Sequence, residues 1–177
     1  MAARGVTLHH WQLSGLAWML QCESTGLPFT EGGGILADDP GLGKTYTSLG
    51  LLVGDQVVGE TTHTLVVVPT SVLHQWVVAG NRLLGEDQVN LYYGKNRQLV
   101  ANRLVVTSYG VLQRDEELME VEWDRVILDE VHYVKNYRSQ TARRARLLPG
   151  SHRWGLTGTP VQNTSAELAS LFRFVCG

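Results

Sequence analysis

The 177-residue chain is 44% hydrophobic, and its 15 basic and 17 acidic residues leave a formal net charge of only −2, a composition that suits one well-buried globule and leaves two domains cramped. That charge excludes a nucleic-acid binder recognisable from overall basicity, and no apolar run approaches the roughly 20 residues that span a bilayer. The start "MAARGVTLHHWQ" lacks the apolar stretch of a signal peptide, so an intracellular protein without a membrane partner is expected.

In chain order, Leu8, Trp11, Leu13, Leu16, Ala17 and Leu20 recur at helical spacing and predict a helix over 7–21. His9 and His10 within it have no matching ligand pair and read as packing or adenine-side residues. Short apolar runs at 33–37, 64–69, 89–93, 103–108, 125–130 and 153–158 predict buried strands. Amphipathic segments at 44–54, 71–84, 138–148 and 164–175 predict helices between them. Glycine, proline and polar residues place loops at 22–32, 54–63, 94–102 and 149–152. Alternating strands and helices give an α/β fold with a mainly parallel sheet, whose ligands bind at the carboxyl ends of the strands. Cys22 and Cys176 lack ligand-like spacing and read as reduced thiols, with no zinc implied.

Three local patterns carry chemistry. In "GGILADDPGLGKTYTSLGLL" (33–52), Gly41, Gly43, Lys44 and Thr45 sit between an apolar strand and a helix. There, glycines let backbone amides reach phosphate oxygens, a lysine reaches the β and γ oxygens, and a hydroxyl holds Mg²⁺. The strict phosphate-loop pattern fails at its first glycine, where Asp38 stands, and an ordinary glycine turn before a helix remains the alternative. "RVILDEVH" (125–132) is an apolar strand ending in Asp129 and Glu130, 85 residues beyond Lys44. Such acids are either surface residues or a pair that holds Mg²⁺ and orients an attacking water, and the company of the glycine loop favours the pair. Finally, residues 115–130 hold eight acids against Arg125 alone. The stretch to Glu167 then has no acid but carries Lys135, Arg138, Arg143, Arg144, Arg146 and Arg153, either a stripe that tracks phosphates or a solvated helix face.

The ordered set "DDPGLGKT" (38–45), "VVVPTSVLHQW" (66–76), "VVTSYGVL" (105–112), "LDEVH" (128–132) and "LTGTPVQN" (156–163) resembles the first motor lobe of Swi/Snf-type ATPases of helicase superfamily two. The wording of the second stretch looks closest to the branch containing ring-finger DNA-repair translocases. The resemblance covers about Leu8 to Phe174. It implies a RecA-like P-loop domain, a mainly parallel sheet with helices on both faces, forming one ATP-binding lobe over 1–177 with the second lobe absent from this chain. The implied activity is that of a DNA-dependent ATPase and double-stranded DNA translocase of the chromatin-remodelling or DNA-repair type, with ATP and Mg²⁺ as cofactors. Its turnover depends on arginines that the second lobe supplies; Arg153 and Arg173 lie in no matching motif. A eukaryotic member is expected in the nucleus. A non-hydrolysing nucleotide-binding module and an RNA helicase lobe are the competing readings; retention of Lys44, Asp129 and Glu130 opposes the first, and "GLGKT" with "LTGTPVQN" opposes the second.

Carried residue by residue, the resemblance assigns nucleotide contacts to Gln12, for the adenine edge, and to Pro40, Gly41, Leu42, Gly43, Lys44, Thr45 and Tyr46. It assigns catalysis to Lys44, Asp129 and Glu130, and Mg²⁺ to Thr45 and Asp129. The DNA contacts fall on Pro69, Thr70, Ser71, Thr107, Ser108 and Tyr109, with Lys135 and Arg138 from the basic stretch. Coupling of nucleotide state to DNA grip falls on His132, Thr157, Gly158 and Thr159. Thr70 or Ser71 is equally an N-cap for the helix that follows, and Trp76 and Tyr109 read as packing residues rather than base stackers. The chain departs from the family at His9-His10-Trp11, where arginine and proline usually precede an aromatic, and at Val131, where alanine is usual. The family places an acidic pair ahead of the glycines, so Asp38 and Asp39 fit its pattern.

Overall fold

The structure, a computed structural model, describes residues 2–3, 5–25, 32–100, 102–158 and 165–176. Two short strands, β1 (Ala2–Ala3) and β2 (Val6–Thr7), pair antiparallel ahead of α1 (His10–Thr25). The remaining elements alternate. They are β3 (Gly34–Leu36), α2 (Lys44–Val58), β4 (Thr64–Val68), α3 (Leu73–Leu84), β5 (Val89–Leu91), β6 (Leu104–Ser108), α4 (Tyr109–Leu112), β7 (Trp123–Leu128), α5 (Gln140–Leu147), β8 (Gly150–Leu156) and α6 (Ser165–Val175). Strands β3 to β8 form one parallel sheet in the order β3-β8-β7-β4-β6-β5.

All five residues of β4 and of β6 are buried, as expected for parallel strands covered on both faces. Alternation sorts them between two cores. Val66, Val68, Leu104, Val106 and Ile127 face α1, α2 and α3, while Leu65, Val67, Val105, Val126 and Leu128 face α4, α5 and α6. The predicted α/β class with helices on both faces is therefore what the chain adopts.

Several predicted boundaries move, each for a physical reason. Helix α1 starts at His10 because Val6 and Thr7 are drawn into the pairing with β1, and it runs on to Thr25 through positions read as loop. Helix α2 continues past 54 to Val58 and stops where Gly59 takes φ 80° and donates its N–H to Gln56 O, a left-handed cap that only glycine adopts cheaply. The predicted loop at 149–152 is mostly strand: "GSH" has no apolar signature, but Gly150 pairs with Trp123 and His152 with Arg125. Strand β7 ends at Leu128, which leaves Asp129 and Glu130 just beyond the sheet's carboxyl edge.

At the opposite, amino edge of the sheet a buried charge cluster ties three elements. Arg125 at the start of β7 donates through Nε and Nη2 to Glu23 of α1, at 2.6 Å each, and through Nη1 to Asp55 of α2 at 3.0 Å. Trp154 Nε1 on β8 donates to Glu23 at 2.8 Å, and the Thr62 hydroxyl to Asp55 at 2.8 Å.

Candidate nucleotide site and nucleic-acid edge

The carboxyl ends of β3, β8, β7 and β4 lie side by side, and the predicted motifs gather there. Between β3 and α2 the chain turns through Gly41 (φ 87°) and Gly43 (φ 81°), left-handed conformations that a side chain would strain. Asp38 and Asp39 adopt no such conformation, so side chains are tolerated there, and they contribute main-chain oxygens: Lys44 Nζ donates to Asp38 O at 2.6 Å and Asp39 O at 3.2 Å. Thr45 lies in the first turn of α2, whose leading amides carry no side-chain cap, the arrangement that favours an anion.

Gln12 is buried against this loop. Its Nε2 donates to Leu42 O (3.2 Å) and Gly43 O (3.3 Å), and its Oε1 accepts from His9 N at 2.9 Å. Trp11 Nε1 also donates to Leu42 O, and the Trp11 ring stacks on His9. A Cβ on Gly43 would collide with the Gln12 amide. Beside them opens a cleft of about 330 Å³ lined by Val6, Leu8, His9, Gln12, Tyr46 and Arg82. Pro40 and Leu42 are exposed rims of the loop.

Asp129 is held at every polar atom. Its N–H donates to Val67 O (2.9 Å), its carbonyl accepts from Tyr109 OH (2.7 Å), Oδ1 accepts from Glu130 N (2.9 Å), and Oδ2 accepts from Trp76 Nε1 (2.7 Å). Burial pushes its carboxyl above the usual range, and the Glu130 charge adds to this, while the two N–H donors and the nearby Lys44 ammonium pull the other way. A desolvated carboxylate whose donors are mostly neutral suits a hard divalent cation. The phosphate loop, Lys44 and this acid therefore fit a magnesium nucleotide.

Glu130 has φ 50° and ψ 55°, the only positive φ of a non-glycine residue among those described. Its side chain is half-exposed, and Oε2 lies 3.2 Å from His132 Nδ1. Thr157 is buried and donates its N–H to Leu36 O, which joins the end of β8 to the start of the phosphate loop. Gly158 touches that loop so closely that a Cβ would lie 2.8 Å from Pro40 Cγ. Thr159 lies outside the described residues.

The proposed nucleic-acid residues divide into two groups. Thr70 and Ser71 are exposed and Pro69 half-buried, in a turn before α3, and neither hydroxyl caps that helix, contrary to the capping alternative. Lys135 and Arg138 are exposed too. Thr107, Ser108 and Tyr109 instead point inward: Thr107 donates to Tyr92 O at 2.8 Å, Ser108 Oγ caps α4 by accepting from Val111 N, and Tyr109 donates to Asp129 O. The basic stretch also splits. Arg144 is drawn onto Glu116 and the carbonyls of Leu112 and Asp115, and Arg153 onto those of Ala145 and Leu148, which leaves Arg143 and Arg146 outward.

Trp76 and Tyr109 are buried, as packing residues are, and each also bonds Asp129, a role their motifs do not disclose. The one available signal is chemical: a buried indole N–H or phenol O–H requires a partner.

A phosphate loop at a helix start, facing strand-end acids across a parallel sheet, defines a P-loop nucleotide-binding lobe of RecA-like type. Residues 11–176 match the SNF2-related domain model, and the chain belongs to that family. It is 34% identical to the human DNA excision repair protein ERCC-6-like, over 96% of this chain and 14% of that protein. It is 35% identical to the putative ATP-dependent helicase/translocase YwqA of Bacillus subtilis, over 96% of this chain and 19% of that protein. The chain thus spans less than a fifth of the length of these relatives. Among solved structures, the Sulfolobus solfataricus SWI2/SNF2 ATPase core in complex with dsDNA superposes with a TM-score of 0.88 at 29% identity, covering 99% of this chain and 37% of that one.

Proposed function

We propose that this chain is the ATP-binding, N-terminal motor lobe of a DNA-dependent ATPase that translocates on duplex DNA, of the chromatin-remodelling or DNA-repair type. Full turnover needs a second RecA-like lobe to supply arginines to the γ-phosphate, and in a eukaryote the protein works in the nucleus. The observation that carries this reading is the gathering, at the carboxyl edge of one parallel sheet, of the glycine loop that presents Lys44 and the strand-end Asp129 whose carboxylate is held by Trp76 and the Glu130 N–H. The dsDNA-bound archaeal core supports the choice of duplex DNA as partner.

The residues divide the work as follows. Amides of Gly41 to Thr45 cradle phosphate oxygens, and Lys44 exchanges the carbonyls of Asp38 and Asp39 for the β and γ oxygens. Thr45 Oγ1 and the Asp129 carboxylate would hold Mg²⁺. When bound, the magnesium nucleotide would supply a γ-phosphoryl group for transfer to water, with ADP as the leaving group. Glu130 orients that water and receives its proton on a carboxylate oxygen. Gln12 links the adenine cleft, with Tyr46 on its wall, to the phosphate loop, because its amide already contacts the carbonyls of Leu42 and Gly43. His132, Thr157, Gly158 and Thr159 relay nucleotide state. Thr70, Ser71, Lys135 and Arg138 offer exposed donors to phosphodiester oxygens, positioning DNA without reading its sequence.

Fluorescent ATP with Mg²⁺ should bind the chain, and Lys44→Ala should abolish that binding. Equal binding by the variant overturns the phosphate-loop assignment.

A further inference from the structure

Trp76 sits on α3 with only 1% of its surface exposed, packed in the core between that helix and the sheet. Its indole N–H nonetheless points at Asp129 Oδ2, 2.7 Å away. Since Oδ1 already accepts the Glu130 N–H, Trp76 completes the fixation of the carboxylate, and Tyr109 fixes its main-chain oxygen from the other face of the sheet.

We infer that Trp76 is a positioning residue for the metal site, holding Asp129 so that its remaining lone pairs face a divalent cation. This rests on the reading of Asp129 as the Mg²⁺ ligand. The chemistry of the donor matters. A carboxylate oxygen has two lone pairs, and an indole N–H occupies one without bringing a positive charge. A lysine or arginine in its place would neutralise the acid and compete with the cation. An indole, unlike a hydroxyl, cannot turn round and accept, so its N–H stays directed at Oδ2. Burial of the whole ring prevents it from swinging away. Partners of this kind, one bond removed from the metal, set ligand orientation and typically govern about 10- to 100-fold in metal affinity.

The test uses two readouts. In Trp76→Phe, which keeps a ring but removes the N–H, the Mg²⁺ concentration that half-saturates fluorescent-ATP binding should rise about 10-fold or more, while binding in EDTA stays unchanged. Tyr109→Phe should give a smaller rise. In the native chain labelled with ¹⁵N at its five indoles, the resonance that Trp76→Phe removes should shift when Mg²⁺ is added with a non-hydrolysable ATP analogue. Should Trp76→Phe fail to fold, selective labelling of Trp76 in the native chain gives the deciding shift. An unchanged Mg²⁺ requirement in the folded variant, or an indole resonance silent to Mg²⁺, overturns the inference. Asp129→Asn separates the two levels: if it raises the Mg²⁺ requirement and Trp76→Phe does not, only the role of Trp76 falls. If Asp129→Asn changes nothing, the metal assignment and the inference fall together.

Discussion

Replacing Arg125 by methionine should cost more stability than any surface change in this chain, and should do so from the far end of the molecule. The guanidinium is 3% exposed and its partners Glu23 and Asp55 have side chains 10% and 11% exposed, so the variant leaves two carboxylates facing each other with little water. Breaking such a buried group by removing one partner costs about 3–5 kcal/mol. A domain of this size has about 5–15 kcal/mol in total, and each kcal/mol moves its Tm by about 2–4 °C, so a fall of roughly 6–20 °C is expected. A thermal melt of both proteins at neutral pH measures the fall in Tm, and a urea titration the free-energy cost. The triple variant Arg125→Met, Glu23→Gln, Asp55→Asn should regain at least half of the loss, because no uncompensated charge remains. A cost below about 1 kcal/mol for Arg125→Met would refute the reasoning and show that the carboxylates rehydrate freely.

Gly43→Ala should lower stability by about 1–3 kcal/mol through its φ of 81°, and should weaken nucleotide binding at least about 10-fold by unseating Gln12; a calorimetric binding isotherm and a melt read both. Asp115 is buried, which raises its pKa, but hydrogen bonds from Arg97 and Tyr92 prevail and hold it below the usual carboxylate range. Because the folded-state pKa is depressed, its contribution is present above the unfolded value of about 3.9 and is lost as pH falls through the lower, folded value. Asp115→Asn should therefore flatten the acid limb of a stability-against-pH curve. Glu130→Gly should leave stability equal or up to about 1 kcal/mol higher, by relieving its left-handed backbone, while abolishing hydrolysis in a two-lobed protein; a loss above 1 kcal/mol would contradict the assignment of strain.

The phosphate loop and the strand-end acids were legible because their chemistry is local: glycines at the two left-handed positions, a lysine at a helix start, carboxylates where an apolar run ends. The strands of the two cores were legible because burial on both faces leaves near-continuous apolar runs. What stayed hidden depends on partners distant in sequence. Arg125 read as a lone base in an acidic stretch, yet its partners are 102 and 70 residues away. Thr107 and Ser108 matched a DNA-contacting pattern, but hydroxyls serve backbone carbonyls and amides as readily as phosphates: the fold places Tyr92 O beside Thr107, while Ser108 takes the local cap of Val111 N three residues on. Val131 departs from the family alanine without crowding the acids, because it is fully buried in the core beneath and packs against Gly155.

The buried charge cluster also explains why the site can be precise. Gln12 precedes Glu23 on α1 by eleven residues, and Lys44 precedes Asp55 on α2 by eleven, each about 16 Å of helix at 1.5 Å per residue. Arg125 precedes Asp129 by four, about 13 Å of strand. One guanidinium therefore pins the far ends of the three elements that carry Gln12, Lys44 and Asp129, the proposed adenine-side amide, phosphate-loop lysine and metal-site acid, setting their relative axial positions without occupying the site. At the other end the two acids are treated differently. The Asp129 carboxylate is held at both oxygens, by Trp76 and by the Glu130 N–H, whereas the half-exposed Glu130 side chain meets half-exposed His132 and sits on a strained backbone. A metal ligand gains from immobility, since any reorientation costs affinity. In its proposed role as the base that meets water, Glu130 gains from exposure, and its left-handed backbone is the strain that position carries.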